Sequence, residues 1–223
     1  MPIEDTFIRG YRQLALETPT RPRDRVLRLL DVLLSTVFLL VGLPLAVVLT
    51  LVLALTRGRP ILYRGERVGR GGRVFTMYKF RTLKRDAESR LGPYLGAELM
   101  RRTEEEFTPL GRWLKATQLD EIPQFMNVLH GDMSLVGPRP IRPVFFEELA
   151  HDLPAYWQRL TVRPGLTGLA QVRRGYETSM AEKLAHDLEW IADRSVRLYL
   201  RTVWATGWRV IRQSLRGLVS PSG

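Results

Sequence analysis

The sequence contains no cysteine and only three histidines. Without cysteine the chain forms no disulfide and offers no thiolate ligand to a metal. The histidines are far apart in sequence and none belongs to a His-Glu-x-x-His pattern, the usual signature of a catalytic zinc helix; they are His130, His151 and His186. These absences argue against zinc chemistry and against a fold held together by disulfides.

Acidic residues are also fewer than basic ones. The 223 residues include 34 lysines and arginines against 23 aspartates and glutamates, which gives a net charge of +11 and a sequence pI near 10.6. A surplus of this size indicates anionic partners, and nucleic acid, anionic lipid and phosphorylated substrates all qualify. The length suits one sizeable domain with an additional element.

Charge is missing altogether from residues 32–55, a run of 24 residues. As one helix the run would measure about 36 Å, enough to cross a hydrocarbon core of about 30 Å. Gly42 and Pro44 lie in its middle, and proline kinks a helix by removing a backbone hydrogen bond. Arginines flank both ends, and positive charge marks the cytoplasmic side. We therefore predict a re-entrant helix that bends at Pro44 and returns to the same face, with a spanning helix as the alternative.

The residues before this run carry two further expectations. Asp31 directly precedes it, so we expect this aspartate to cap the start of the helix or to pair with Arg28 one turn earlier. Residues 1–20 are polar and mixed, without the apolar core of a signal peptide. They predict a loosely ordered or interfacial start.

Two short β-like runs, at residues 61–63 and 74–78, flank a turn rich in glycine and arginine and predict a β-hairpin. The glycines match neither a Walker loop nor a dinucleotide fingerprint, so they provide no argument for nucleotide binding. Lys79 and Arg81 alternate along an extended segment and therefore face the same side. Alternation alone usually belongs to a solvated strand face.

The other patterns are mainly helical. We predict a charged helix pair at residues 84–107, interrupted at Gly92 and Pro93, an aromatic-rich helix at 141–160, and helix from 180 to 217. A helix with one cationic stripe normally lies on an anionic membrane surface, with a nucleic-acid contact as the competing interpretation. The last helix has such a stripe, which consists of Arg194, Arg197, Arg201, Arg209, Arg212 and Arg216.

The adjacent carboxylates of Asp120 and Glu121 form the dyad on which the functional argument depends. Pro123 follows at a position typical of the opening turn of a helix. There the unsatisfied N–H groups and the helix dipole would keep both acids ionised and attract phosphate. Successive helical residues point about 100° apart, so one carboxylate can attack while the other binds a cation. Taken alone, an Asp-Glu pair before a helix more commonly just complements the dipole.

Longer sequence motifs around the dyad decide between these interpretations. Residues 118–124 are Gln-Leu-Asp-Glu-Ile-Pro-Gln, and residues 127–140 are Asn-Val-Leu-His-Gly-Asp-Met-Ser-Leu-Val-Gly-Pro-Arg-Pro. Residues 78–82 are Tyr-Lys-Phe-Arg-Thr, and residues 162–171 are Val-Arg-Pro-Gly-Leu-Thr-Gly-Leu-Ala-Gln. Together they resemble the bacterial sugar transferase family of monotopic phosphoglycosyl transferases. The departures from the family motifs are Leu27, Leu30, Leu83 and Leu169.

The resemblance implies transfer of a sugar 1-phosphate from a UDP-sugar to polyprenyl (undecaprenyl) phosphate with release of UMP, a first membrane step of exopolysaccharide or lipopolysaccharide assembly. It implies that Asp120 is a nucleophile that forms an aspartyl phosphosugar and that Glu121 helps to bind Mg²⁺. It also implies residues that bind substrate phosphate or organise the site, namely Lys79, Arg81, Arg139, Arg163 and Asp187.

We therefore expect an α+β, mainly helical fold with three parts: an N-terminal segment (1–24), a re-entrant membrane helix with a proline kink (25–56), and a cytosolic, membrane-associated catalytic domain (57–223). That domain would contain the small β-hairpin and amphipathic interfacial helices. We expect it on the cytoplasmic face of the bacterial inner membrane. The expected partners are UDP-sugar, polyprenyl phosphate and anionic membrane lipids, without nucleic acid.

Three questions stay open at this level. Glucose, galactose and N-acetylated amino sugars are all compatible with the family resemblance, and no residue decides among them. The sequence does not decide whether the protein forms a homodimer. A membrane-tethered nucleic-acid-binding protein would explain the net charge, and a metal-dependent diphosphate hydrolase would use the same two acids with water as the acceptor.

Overall fold

A computed structural model describes residues 21–91, 96–173 and 179–219. The prediction for residues 1–20 lies outside the described residues. The described part is mostly helical with small sheets, as predicted. Its helices are α1 Pro22–Arg57, α2 Ala87–Leu91, α3 Gly96–Glu106, α4 Pro109–Thr117, α5 Gln124–His130, α6 Pro143–Asp152, α7 Leu169–Arg173, α8 Met180–Asp193 and α9 Val196–Val219.

The predicted β-hairpin is confirmed, with longer strands. Strand β1 (Leu62–Val68) pairs antiparallel with β2 (Val74–Phe80), so that Leu62 lies opposite Phe80 and Val68 lies opposite Val74. A second, parallel pair joins β3 (Ser134–Val136) to β4 (Gly165–Thr167). The two backbones approach closely there, since a Cβ on Gly165 would lie 2.1 Å from the backbone nitrogen of Gly137.

The uncharged run lies within α1, a helix of 36 residues. Pro44 lies inside this helix without ending it, and the re-entrant path stays a prediction. Large apolar side chains of α1 face outward, and Val41 is 76% exposed and Leu55 86% exposed. By length and composition α1 could cross a membrane. Apolar surface on this scale requires a partner such as lipid.

Asp31 connects α1 to the rest of the fold. The prediction that it caps the helix is wrong, because α1 begins nine residues earlier, at Pro22. Asp31 is 2% exposed. Its Oδ1 accepts hydrogen bonds from Ser134 Oγ at 2.9 Å, Leu135 N at 2.9 Å and Tyr199 Oη at 2.8 Å. One carboxylate therefore joins α1 to β3 and α9.

Arg28 is not the ion-pair partner that we predicted for Asp31. Its Nη1 donates to the carbonyl of Val128 at 2.6 Å, and its Nη2 donates to the carbonyl of Leu129 at 2.8 Å. These carbonyls belong to the last turn of α5, where helical carbonyls lack intrahelical partners and a cation is favoured. Arg28 thus extends from α1 to cap the end of α5.

The apolar core has a part that bears directly on the dyad. Leu49 and Leu53, in the C-terminal half of α1, are buried with Phe80 of β2 and Leu114 of α4. Partly buried residues on both sides of the dyad, Leu119 and Ile122, pack against the same cluster. Helix α1 therefore supports the dyad through apolar contacts.

The helices predicted after residue 84 are present with different boundaries. The pair at 84–107 is observed as α2 and α3, with Gly92 and Pro93 outside the described residues. The helix predicted at 141–160 is two elements, α6 and a 3₁₀ helix at Pro154–Thr161. The helix predicted from 180 to 217 is divided at Arg194 into α8 and α9.

The cationic stripe needs one correction. Arg194 is 7% exposed and pairs with Asp24 of α1, with 2.7 Å between Nε and Oδ1, so it does not belong to an exposed face. The side chain of Arg216 lies outside the described part. The exposed face of α9 carries apolar residues beside the cations, namely Leu200, Trp204, Trp208, Ile211, Arg197, Arg201 and Arg212.

Candidate active site

The dyad lies in a tight turn between two helices. Helix α4 ends at Thr117, the following residue Gln118 has a left-handed φ of 57°, and a 3₁₀ turn at Leu119–Glu121 follows. Pro123 precedes the first residue of α5, Gln124. Both acids therefore lie one turn ahead of the helix, and not in its first turn as predicted.

Glu121 is held by a buried ion pair. Its Oε1 lies 2.6 Å from Nζ of Lys79, and both side chains are 14% exposed. Burial alone would raise the pKa of Glu121, but the charges of Lys79, Arg139 and Lys115 outweigh it and lower that pKa to about 2. Glu121 is therefore an ionised carboxylate at neutral pH.

Asp120 has a different environment. It is 2% exposed, and its Oδ2 lies 3.9 Å from Nζ of both Lys79 and Lys115. Its Oδ1 has no hydrogen-bond partner within the described residues. Burial raises the pKa of Asp120, and the two lysines only partly oppose it. Local burial and lysine contacts therefore shift the two pKa values in opposite directions, a difference that the expected effect of the helix dipole on both acids did not include.

A cavity of about 1360 Å³ opens at the dyad. It is larger than the range of about 300–1,000 Å³ that is usual for a small-ligand site, so more than one ligand can fit. Cations dominate the charged part of its wall, so the cavity favours anionic ligands. They are Arg59, Arg64, Arg67, Lys79, Arg81, Lys84, Arg85, Lys115, Arg139 and Arg142, and the acids are Asp86, Asp120 and Glu121.

Three of the predicted phosphate-binding residues line this cavity together with the dyad: Lys79, Arg81 and Arg139. Lys79 extends from β2, and Asn127 of α5 fixes the strand beside it. Asn127 donates to the carbonyl of Thr76 at 2.7 Å and accepts from the backbone nitrogen of Tyr78 at 3.1 Å. The dyad segment and the lysine strand are thereby held in one register.

Lys115 is a site residue that the sequence interpretation missed. Its Nζ lies 3.9 Å from Asp120 Oδ2 and 4.0 Å from Glu121 Oε1. The residue stands at the end of α4, and the left-handed turn at Gln118 returns the chain so that the acids face it. A lysine five positions before the dyad was the available signal, but its orientation depends on that turn.

Arg163 does not line the cavity at the dyad. Its Nε donates to the carbonyl of Gly131 at 2.8 Å, so it closes the end of α5 beside Arg28. Burial lowers the pKa of Arg163, and the nearby charge of Arg28 acts in the same direction. The substrate contact predicted for Arg163 therefore has no support in its position.

Asp187 is also outside the cavity lining. Its Oδ2 forms a buried ion pair with Nε of Arg159 at 2.9 Å. Burial raises the pKa of Asp187, and the charge of Arg159 opposes that shift. Nη2 of Arg159 donates to the backbone carbonyl of Arg139 at 2.7 Å. Within the described residues, Asp187 is connected to the site through Arg159 and the loop that carries Arg139. Its role in binding substrate or organising the site stays a prediction.

The oxygen donors at the dyad fit a hard cation such as Mg²⁺. Mg²⁺ is commonly bound through one or two carboxylates together with substrate phosphates, and it does not require a cage made only of protein ligands. Glu121 is ionised, and Asp120 Oδ1 lacks a hydrogen-bond partner within the described residues. The described residues contain no group of three or more candidate metal ligands, so the remaining ligands would come from substrate and water.

Comparison with known proteins identifies a consistent group of relatives. A family model described as bacterial sugar transferase matches residues 23–213. A UDP-glucose:undecaprenyl-phosphate glucose-1-phosphate transferase of Caulobacter vibrioides is 37% identical over 205 residues, which are 86% of this chain and 75% of that protein. A UDP-N-acetylgalactosamine-undecaprenyl-phosphate N-acetylgalactosaminephosphotransferase of Aeromonas hydrophila is 33% identical over 79% of this chain.

A third relative acts on another sugar. An undecaprenyl-phosphate galactose phosphotransferase of Salmonella typhimurium is 39% identical over 156 residues, or 65% of this chain. The chain spans 41% of the Aeromonas protein and 32% of the Salmonella protein. The three relatives thus share the undecaprenyl phosphate in their names and differ in the sugar.

Proposed function

Because the chain belongs to the bacterial sugar transferase family and is a phosphoglycosyl transferase, we propose that it transfers a sugar 1-phosphate from a UDP-sugar to undecaprenyl phosphate and releases UMP. The observation that carries the proposal is the buried Asp120, with a carboxylate oxygen that lacks a partner within the described residues, in a wall of cations. The apolar helix α1 and the names of the relatives indicate membrane association.

In the first step, a carboxylate oxygen of Asp120 attacks the β-phosphorus of the UDP-sugar. A new O–P bond forms, the bond from that phosphorus to the bridging diphosphate oxygen breaks, and UMP leaves with the electron pair on that oxygen. A carboxylate suits this step because the acyl phosphate it forms is reactive. Asp120 Oδ1 has no hydrogen-bond partner among the residues that the structure describes, which leaves a lone pair available for attack.

In the second step, a phosphate oxygen of undecaprenyl phosphate attacks the same phosphorus. The O–P bond to Asp120 breaks, its electron pair returns to the carboxylate, and undecaprenyl diphosphate sugar is released. Lys79, Lys115 and Arg139 are close enough to the dyad to act on its charge. They would stabilise the negative charge on the transferred phosphoryl group.

Glu121 would hold Mg²⁺, which neutralises diphosphate charge when it is bound. Its ion pair with Lys79 keeps the carboxylate deprotonated and oriented toward the cavity. A site on the cytoplasmic face, reached by a re-entrant α1, would give access to a soluble UDP-sugar and to a lipid acceptor. The basic residues at both ends of α1 support that topology.

The test is UMP release by the purified full chain with Mg²⁺, undecaprenyl phosphate and a panel of UDP-sugars. We expect release with at least one sugar, dependent on the lipid at steady state, and loss of turnover in Asp120→Ala and Asp120→Asn. Arg73→Gln is a matched surface control, since Arg73 is exposed and does not line the cavity.

Two results would contradict the proposal. Full turnover by Asp120→Asn would show that Asp120 is not the nucleophile. Continuous UMP release without the lipid would indicate a metal-dependent diphosphate hydrolase, in which water takes the place of the acceptor. Cysteine labels at both ends of α1 test the topology, and labelling of one end from outside would establish a spanning helix.

A further inference from the structure

We propose that Arg59 and Arg81 form the subsite for the phosphate of the lipid acceptor, at the end of the cavity where α1 leaves the membrane. The inference rests on the proposed function. It divides the cavity at the dyad into a part for the donor and a part for the acceptor. It assigns a ligand to Arg59, which the sequence interpretation treated only as a charge flanking the membrane run.

The first observation is that the segment directly after α1 lines the cavity. The residues directly after α1, Arg59, Pro60, Ile61 and Leu62, all line it. The last turns of α1 present apolar side chains outward, with Leu51 57% exposed and Leu55 86% exposed. A polyprenyl chain lying along this helix would bring its phosphate to the cavity within a few residues of the helix end.

The second observation is the position of the two cations. Nη2 of Arg81 donates to the carbonyl of Gly58, the C-cap of α1, at 3.3 Å, so its guanidinium lies at the helix end. Arg59 is the next residue after that cap, is exposed and lines the cavity. Arginine suits this role because its planar fork can contact two phosphate oxygens.

The third observation is the distance from this end to the dyad. Arg81 follows Lys79 by two residues along an extended segment, which corresponds to about 7 Å, and Lys79 contacts Glu121 and lies 3.9 Å from Asp120. A phosphate held by Arg81 would therefore lie near a phosphosugar on Asp120. The donor diphosphate would be bound by other cations of the cavity, Lys115 and Arg139, whose charges act on Asp120.

The simpler alternative is that Arg59 only binds anionic lipid headgroups as a charge that flanks the membrane run. The two roles differ in the half-reaction that they affect. An acceptor subsite acts only after UMP has left, whereas a general membrane contact affects how much protein reaches the membrane and therefore both half-reactions equally.

The experiment separates the half-reactions in full-length protein with Mg²⁺. A rapid-quench assay with the active UDP-sugar and no lipid measures the UMP burst, and steady-state turnover is measured against undecaprenyl phosphate concentration. For Arg59→Gln we expect an unchanged burst and a KM for undecaprenyl phosphate raised about tenfold, as loss of one charge-assisted contact predicts. Arg59→Lys should recover part of the affinity. Arg73→Gln, at the far end of the hairpin, removes the same charge and should match the unaltered protein.

The possible results distinguish the acceptor subsite from its alternatives. A burst slowed in proportion to turnover in Arg59→Gln would place Arg59 with the donor and overturn the proposal, and so would an unchanged KM for the lipid. Equal losses in Arg59→Gln and Arg73→Gln, with reduced flotation on anionic vesicles, would support the general membrane contact instead. No burst in the unaltered protein would contradict the covalent route of the proposed function, and the subsite would then be judged on the lipid KM alone.

Discussion

The two neighbouring acids should have opposite effects on stability when each is neutralised. Asp120 is 2% exposed, and Oδ1 lacks a hydrogen bond within the described residues. Its pKa is raised because burial outweighs the attraction of Lys115 and Lys79. The fold therefore disfavours the ionised form that the reaction needs. We expect Asp120→Asn to abolish turnover and at the same time to raise the melting temperature.

The size of the stability gain expected for Asp120→Asn follows from the burial of Oδ1. A buried polar group without a partner costs about 1–3 kcal/mol, and the asparagine amide retains part of that cost, so we expect a gain of about 1 kcal/mol. For a chain of this size that corresponds to about 2–4 °C in Tm. Because the folded-state pKa of Asp120 is above its unfolded value, the cost develops as pH rises above 3.8 and is fully present once pH exceeds the folded-state pKa.

Glu121→Gln provides the matched control, with the opposite sign. Its pKa is lowered to about 2, so the ionised pair contributes stability above pH 4.5 that is lost as pH falls through about 2. The glutamine would leave Lys79 buried without its 2.6 Å partner, at a cost of about 3–5 kcal/mol. Thermal unfolding of both variants in one detergent at pH 7 measures the contrast. A lower Tm for Asp120→Asn would refute the reasoning and make Asp120 a structural counter-ion of the lysines.

Three other predictions concern the frame of the site. Gly111→Ala should lower the free energy of unfolding by about 1–3 kcal/mol or more, because its Cβ would lie 1.8 Å from the carbonyl oxygen of Thr82; chemical denaturation measures this, and an unchanged midpoint contradicts it. Asp31→Leu should lower the free energy of unfolding by about 3 kcal/mol or more, because three buried donors would lose the carboxylate oxygen that accepts from them. Asp31→Asn should lower it by less. Trp204→Glu should weaken flotation on anionic vesicles without changing Tm, because Trp204 is 77% exposed, and unchanged flotation would remove α9 from the membrane surface.

The local patterns predicted local structure well. The β-like runs beside the glycine-rich turn gave the hairpin, because side-chain alternation and turn residues act over a few positions. The same alternation placed Lys79 and Arg81 on one side, and both line the cavity with the dyad. These inferences required only the geometry of one strand.

Contacts between distant parts of the chain were harder to predict. Arg163 and Asp187 lie in segments that resemble family motifs, yet one closes the end of α5 and the other pairs with Arg159. Lys115 was missed because its approach to the acids depends on a left-handed residue at Gln118. Sequence shows which charges are available, whereas tertiary packing decides which of them share a cavity.

The packing of α1 explains why the membrane helix and the dyad belong to one unit. Leu49 and Leu53 of α1 share a buried cluster with Leu114, and Leu119 and Ile122 on either side of the dyad pack against it. A displacement of the C-terminal half of α1 would remove this support and move the turn that carries Asp120. We therefore expect the surroundings of α1 to affect the geometry of the dyad, and a detergent that alters the path of α1 should reduce the UMP burst as well as lipid-dependent turnover.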